Sequence, residues 1–151
     1  MTKSERLQPI VRISESRERQ AAEKLAAAMQ RQQLAEARLA ELEGYRNEYE
    51  KTFHGDARQG VGAEKLRDYR NFVAQLNLAI GQQGKKVSEA VAACEQARCV
   101  WLQTRTRTQS LDKVVENHHR VERQGKARRE QQDSDERACR WGDEKLADES
   151  E

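Results

Sequence analysis

The chain has little of what builds a compact core. Leu, Ile, Val and Phe together number 25 of 151 residues, about 17%, which is below the level expected of a globular domain. Aromatic residues make up 5% of the chain and charged residues 36%. Because 28 basic and 26 acidic side chains nearly cancel, leaving a formal charge of +2, charge repulsion does not force the chain into disorder. A rounded domain is therefore not the expected fold.

Long apolar runs are also missing. No stretch approaches the ~18 consecutive apolar residues of a membrane-spanning helix, and the first residues, MTKSERLQPIV, lack the apolar centre of a secretory signal peptide. We therefore expect a cytoplasmic protein without direct membrane insertion. The three cysteines, Cys94, Cys99 and Cys139, form no C-x-x-C pair, which favours reduced thiols over a disulfide framework or a zinc site.

Motifs for catalysis and ligand binding are absent. His118 and His119 are adjacent, so on a helix their side chains diverge by about 100° and cannot hold one metal ion together. The glycines match neither the P-loop nor the dinucleotide-binding pattern. The densest basic cluster, from Arg120 to Arg129, contains Glu122 and no interleaved aromatic residue, which argues against nucleic-acid binding. We expect no enzyme activity, no metal ion, no cofactor and no nucleic-acid partner.

What the sequence does contain is the composition of long helices. Ala, Glu, Lys, Leu, Arg and Gln dominate, and the single proline, Pro9, lies where the first turn of a helix tolerates it. Three of the eight glycines lie within residues 54–62, which predicts a turn there. We therefore place helix 1 at about 8–53 and helix 2 at about 63–130. Residues 131–151 are acidic and aperiodic, and we expect a disordered tail.

Both helical segments carry the apolar repeat of a coiled coil. Apolar residues recur at alternating steps of four and three from Leu7 to Phe53 and again from Leu66 to Trp101. A repeat of 3.5 residues is typical of left-handed supercoils. The sequence therefore predicts an all-α fold in which residues 1–130 form an antiparallel coiled-coil hairpin of two long helices.

The two apolar repeats also predict a register for this hairpin. An index sum of about 118–119 for opposed residues keeps the repeats in phase, and it pairs Ser14 with Thr104 and Leu7 with Leu111. Helix 1 then ends opposite Leu111, so helix 2 overhangs it. In this register residues 112–151 have no partner within the chain.

Two aromatic residues flank the apolar repeats near the turn. Tyr45 and Phe72 each precede a residue of the repeat, and in the predicted register they lie side by side on one edge of the hairpin. With their neighbours they form an apolar stripe that two helices cannot bury, which predicts a partner-binding surface. Alternatively, the two rings only widen the core of the hairpin. The apolar stripe consists of Leu42, Tyr45, Tyr49, Phe72, Leu76 and Ala79.

Several sequence motifs resemble those of one protein family. The first helix opens with LQPIVR at residues 7–12 and ends with YRNEY at residues 45–49, and the second begins with LRDYRNFVAQL at residues 66–76. In their order, their spacing and the length of the chain, these motifs resemble the flagellar export protein FliJ family over about residues 1–130. The acidic tail, with Trp141, lies outside this resemblance.

The resemblance implies a function in protein export. Members of the family are components of the flagellar type III export apparatus and are antiparallel coiled coils similar to the central stalk of rotary ATP synthases. The end with both termini enters the hexameric export ATPase, a surface on the hairpin contacts the cytosolic domain of the membrane export gate, and members help to cycle empty export chaperones. The resemblance thus implies a cytoplasmic protein, monomeric alone, associated peripherally with the inner membrane at the flagellar base.

The resemblance also assigns residues to these contacts. The gate-contacting surface of the family corresponds to the apolar stripe, and Arg38 and Gln83 lie at matching positions but differ from the usual residue types. The ATPase should be contacted by apolar residues near the end with both termini. These residues are Leu7, Val11, Leu111, Val114, Val115 and Val121.

Three other interpretations stay open. The nearest is the equivalent stalk protein of a virulence type III injectisome, which would share the architecture but bind other partners. A generic coiled-coil scaffold or adaptor would form a stable dimer. A nucleic-acid-binding helical arm would require salt-sensitive binding, for which the mixed charges give little reason.

Overall fold

The computed structural model describes residues 1–150, nearly all of them in two long helices. Helix α1 spans Lys3–Ala57 and helix α2 spans Ala63–Asp148. Residues 1–150 contain no β-strand, and no helix among them is long and apolar enough to cross a membrane. The two helices pack against each other, which confirms the predicted all-α helical hairpin.

Helix α1 is longer than the sequence predicted at both ends. It begins five residues earlier than the expected position near residue 8, so Pro9 lies inside the helix rather than in its first turn. At its other end it runs to Ala57, which shortens the predicted turn to residues 58–62. Gly60 has a φ of 93° and its N–H donates to the carbonyl of Ala57 at 3.2 Å. This left-handed glycine ends the helix as a C-terminal cap.

A capping box explains the early start of α1. The Thr2 N–H donates to Oε2 of Glu5 at 2.9 Å, and the Glu5 N–H donates to Oγ1 of Thr2 at 3.3 Å. This reciprocal pair satisfies two of the backbone donors that a helix leaves free at its N-terminus. The T-x-x-E pattern is visible in the sequence, and it was the signal for a helix that begins before residue 8.

Helix α2 continues where a disordered tail was predicted. Residues 126–150 are all exposed, so this part of the helix is supported by bonds along its own length. Gln131 donates to Oδ1 of Asp135 at 3.0 Å, and Arg140 lies 3.9 Å from Oε2 of Glu136. Such i,i+4 pairs stabilise an exposed helix. The structure therefore replaces the expected tail with helix as far as Asp148; Glu151 lies outside the described residues.

Contacts divide the chain into two compact units. The turn unit contains residues 18–104 and holds the connection between the helices. Its most buried side chains are the small residues Ala21, Ala28 and Cys94. The terminal unit contains residues 1–17 together with the chain from residue 105 onward.

The terminal unit has its own core. Because this core includes residues beyond Leu111, the predicted overhang of helix 2 was too long. Val11, Thr108 and Val115 are buried there, and Ser4 is hydrogen-bonded to Glu122. Residues beyond Leu111 therefore do have partners within the chain, and α1 contacts α2 as far along as Glu122.

The register of the terminal unit differs from the predicted one, because Ser14 Oγ lies 2.8 Å from Thr108 Oγ1, an index sum of 122. In the turn unit both index sums occur: Tyr49 with Tyr69 and Gln83 with Ala35 have the predicted sum of 118, and Phe53 with Tyr69 has a sum of 122. Ser14 was expected opposite Thr104. Because a 3.5-residue repeat comes back into phase after a step of four residues, the repeat alone does not distinguish the two registers. The short turn and the specific side-chain pairs decide between them.

The observed register can be tested by disulfide trapping. With the three native cysteines replaced by serine, Ser14→Cys combined with Thr108→Cys should form an intramolecular disulfide under mild oxidation, because these side chains already meet. The control is Ser14→Cys with Thr104→Cys, which the other register would favour. Mass spectrometry of non-reduced proteolytic fragments measures both yields, and a higher yield for the control would contradict the register.

Candidate partner-binding surfaces

Four aromatic rings contact one another in series in the turn unit, near the turn. The ring of Phe72 lies 4.4 Å from that of Tyr49, Tyr49 lies 5.5 Å from Tyr69, and Tyr69 lies 3.7 Å from Phe53, measured between centroids. Four of the seven aromatic residues of the chain are thus in one cluster. Phe53 and Tyr69 are half-buried, so they anchor the outer rings to the hairpin.

The apolar stripe presents its aromatic members to solvent. Tyr45 is 54% exposed and Phe72 43%, and Tyr49 is also exposed. Its aliphatic members, Leu42, Leu76 and Ala79, are half-buried. The structure therefore shows three exposed aromatic rings, two of them in contact, and three half-buried aliphatic side chains. Exposed apolar groups that cluster in this way are typical of an interaction site.

The pairing within the stripe differs from the prediction. Tyr45 and Phe72 were expected side by side, but the ring contact of Phe72 is with Tyr49. The index sum of Tyr45 and Phe72 is 117, whereas that of Tyr49 and Phe72 is 121. Phe72 therefore packs against the tyrosine that lies one turn closer to the end of α1.

A groove continues the stripe toward the turn. Its volume is about 280 Å³, and the rings of Tyr49, Phe53 and Tyr69 contribute to its walls. The charged residues Asp56 and Lys65 also line it. An apolar floor with a charged rim can accept an apolar side chain of a partner while the rim stays hydrated.

The two residues that differ from the usual types of the family form contacts within the chain. Arg38 forms an ion pair with Glu41 at 3.0 Å. Gln83 donates from Nε2 to the carbonyl of Ala35 at 3.0 Å, across the two helices. Gln83 therefore ties α2 to α1, which gives it a structural role whatever binds beside it.

The residues expected at the ATPase fall into three groups in the terminal unit. Val11 and Val115 are buried in its core, so a partner cannot reach them while the hairpin is closed. The assignment of Val115 rested on the predicted overhang, which the structure corrects. Val114 and Val121 are 44% and 56% exposed, and their spacing of seven residues places them on one side of α2. Of the six residues, Leu7 and Leu111 are half-buried.

A carboxylate from α2 holds the first turn of α1 in the terminal unit. Glu122 accepts hydrogen bonds from the Ser4 hydroxyl at 2.7 Å and from the Ser4 N–H at 3.1 Å. Ser4 is only 1% exposed. These bonds, the one from the hydroxyl first, lower the pKa of Glu122 below its ordinary value of 4.5. The positive end of the α1 dipole also favours a carboxylate at this position.

This contact was not predicted from the sequence, in which Glu122 was noted only as an interruption of a basic cluster. The contact joins residues 118 positions apart, so no local motif reveals it. However, the steps of three and four that pass through Val115 and His118 lead to Glu122. Extending the repeat past Leu111 would have placed Glu122 against α1.

The cysteines and histidines, which were considered as candidate catalytic or metal-binding residues, do not form a cluster. Cys94 is buried and Cys99 and Cys139 are exposed, all three as free thiols. The Nδ1 of His119 lies 3.8 Å from Glu122. No group of three metal-ligating side chains occurs within residues 1–150.

Replacing Glu122 tests how α1 is held at its start. Glu122→Gln removes the charge and one acceptor, so the amide of Ser4 should lose protection from hydrogen exchange, while amides of the turn unit stay unchanged. Glu116→Gln is the matched control, because it neutralises a neighbouring exposed carboxylate on α2. Equal loss of protection in both variants would contradict the contact.

The lowered pKa of Glu122 determines how the stability of the first turn of α1 depends on pH. The stabilising contribution of Glu122 is complete above its unfolded pKa and is lost as the pH falls through its lower folded pKa. Protection of the Ser4 amide, corrected for intrinsic exchange, should therefore fall in acid. The pKa of Glu5 is lowered too, by the hydrogen bond from the Thr2 N–H, so the pH series needs Glu5→Gln as a parallel variant. In Glu122→Gln only the Glu5 part of the acid effect should remain.

Comparison with known proteins identifies the family. The model of one protein family, described as Flagellar FliJ protein, matches residues 2–143 of the chain. No protein with a curated description and no solved structure matches significantly. The family match includes both surfaces described above, and it extends through Trp141, which was expected to lie outside the family pattern. The chain therefore belongs to the flagellar FliJ protein family and is a component of flagellar type III protein export.

Proposed function

We propose that this protein is a non-enzymatic, stalk-like component that links two parts of the flagellar export apparatus. The terminal unit binds the hexameric export ATPase, and the turn unit binds the cytosolic domain of the membrane export gate. The protein also assists the cycling of export chaperones. It acts in the cytoplasm, peripherally at the inner membrane at the flagellar base. The observation that carries the finer assignment is the exposed aromatic face of the apolar stripe.

The stripe has the properties of an energetically important contact. Tyr45, Tyr49 and Phe72 are all exposed, and aromatic side chains dominate interface energetics. Each ring offers ~150–250 Å² in total. Covering the exposed part of all three therefore contributes on the order of 5 kcal/mol at ~25 cal/mol per Å², before the costs of association.

The ring contacts also prepare the stripe for binding. The ring of Tyr49 is stacked on Tyr69 and contacts the tilted ring of Phe72. A ring that is already fixed loses little conformational entropy when a partner covers it. The stripe can therefore bind a partner without rearranging the hairpin, which suits a component that must engage and release the gate repeatedly.

The terminal unit offers the proposed ATPase contact. Val114 and Val121 form a short exposed apolar line on α2. Beyond Gly125, α2 is exposed on all sides, so its whole circumference is open to a partner. The N-terminus of α1 is fixed to α2 through Ser4 and Glu122, which keeps it close to the exposed valines of α2.

Alanine substitutions in the stripe test gate binding. Tyr45→Ala with Phe72→Ala should abolish binding to the purified cytosolic domain of the export gate, because two exposed rings are lost. Helix content by circular dichroism should stay nearly unchanged. Leu78→Ala is the control, since Leu78 is a large exposed residue of α2 outside the stripe. Full binding by the double variant would sink the assignment of the stripe.

Polar substitutions in the terminal unit test ATPase binding. Val114→Ser with Val121→Ser should weaken binding to the export ATPase and its stimulation, whereas gate binding should persist. Leu78→Ser is the control for loss of an exposed apolar side chain. ATP hydrolysis by the ATPase is measured with increasing amounts of each variant. Undiminished stimulation by the double variant would show that these valines are not the contact.

A further inference from the structure

One edge of the turn unit carries only one sign of charge. On α1 the edge positions recur every seven residues from Lys24, and on α2 they recur every seven residues from Lys65. None of the eleven positions is Asp or Glu, and five are basic. We call this surface the basic edge. Its residues are Lys24, Arg31, Arg38, Tyr45 and Thr52 on α1, and Lys65, Phe72, Ala79, Lys86, Ala93 and Val100 on α2.

The opposite edge of the same unit carries both acidic and basic residues. There α1 contributes the acidic residues Glu36, Glu43 and Glu50, while α2 contributes Arg70 and Arg98. Glu36 and Arg98 line one groove. Charges of both signs therefore occur on that edge, the acidic ones on α1 and the basic ones on α2. The basic edge has no such match.

A groove lies at the centre of the basic edge. Its volume is about 330 Å³, and Arg31 from α1 and Lys86 from α2 line it together with four alanines. Glu89 is the one acidic residue among its lining residues. Two cations that line the same groove repel each other. A partner that brings negative charge and an apolar side chain to this groove would relieve that repulsion.

The chain itself contains a segment of this chemistry. Residues 131–150 hold seven acidic and three basic side chains and are helical as far as Asp148. All of them are exposed, including Trp141 at 77% and Leu146 at 68%. Trp141 is the most exposed aromatic side chain of the described residues, and Glu144 follows it one helical turn later. Exposed Trp beside acidic residues complements an apolar groove between two cations.

We propose that the acidic end of α2 in one copy of this protein binds the basic edge of a second copy. Trp141 enters the groove between Arg31 and Lys86, where its ring can receive a cation on its face. Acidic residues of the segment, such as Glu136 and Glu144, pair with the cations along the edge. The basic edge includes Tyr45, Phe72 and Ala79 of the apolar stripe, but the groove between Arg31 and Lys86 lies beside the stripe. The contact does not require the proposed export partners, so its failure would leave the proposed function untouched.

The contact between the two copies is expected to be weak, because it is small and exposed to solvent. It covers one large side chain and a few exposed ion pairs, each of which contributes little in water, and its area is small compared with the interfaces of stable complexes. The protein is therefore monomeric when dilute and associates only at high concentration. Salt weakens the association, because the ion pairs are exposed.

Sedimentation velocity of the full chain tests the proposal. A series from about 10 µM to about 1 mM, which brackets the affinities of weak contacts, is run in low salt and in high salt. Trp141→Ala and the pair Arg31→Glu with Lys86→Glu should each lower the association constant at least tenfold. Circular dichroism confirms that every variant is folded, as expected from the exposure of all three sites.

Matched controls separate this contact from general charge effects. Arg19→Glu with Lys85→Glu makes the same charge change at exposed positions outside the groove, and it should change the association constant by no more than about twofold, the scatter of exposed single-site effects. A second variant, Glu136→Lys with Glu144→Lys, should also fail to associate alone. Mixed with the variant carrying Arg31→Glu and Lys86→Glu, it should restore association between the two chains.

Three results would overturn the proposal. The chain could remain monomeric throughout the concentration series, which would leave the basic edge to another acidic partner. Association could survive both Trp141→Ala and the reversal of Arg31 and Lys86, which would assign it to another surface. The control charge reversal at Arg19 and Lys85 could abolish association equally, which would show that association depends on the net charge of the chain and not on the groove.

Discussion

The fold depends on one narrow seam that two helices share. A helix in a two-stranded coiled coil can place only about two residues in seven against its partner. The buried residues follow that repeat, and several of them, such as Ala21, Ala28 and Cys94, are small. Each such layer removes less apolar area from water than a layer of leucines would. Stability is therefore spread along the helices, and polar pairs such as Ser14 with Thr108 complete layers that apolar residues do not fill.

This narrow seam explains why so many apolar side chains are exposed. With no third element among residues 1–150, large residues outside the seam have nothing in the chain to cover them. Single exposed residues such as Leu78 therefore need no functional explanation. The rings of Tyr49 and Phe72 differ, because they contact each other and are anchored on Tyr69. It is this clustering, rather than exposure itself, that distinguishes a binding surface from the background.

The repeat predicted the fold because seam positions are fixed by helix geometry, and it predicted the exposed rings because they lie beside the seam. It could not predict the register, since a shift of four residues leaves a 3.5-residue repeat in phase. That error also made the overhang too long and placed Val115 at a partner surface, whereas the structure buries it. The contact between Ser4 and Glu122 was missed for the same reason, because it lies beyond the predicted end of the pairing.

The distribution of charge follows from the same constraint. The exposed charges beside the seam each contribute little in water. The edge with Glu36 and Arg98 carries charges of both signs, whereas Arg31 and Lys86 place like charges in one groove. Salt screens the charge interactions on both edges. A partner with acidic residues would remove the unfavourable term by binding, so association and stability of the hairpin are coupled. A hairpin with one unmatched edge is thus most stable in a complex.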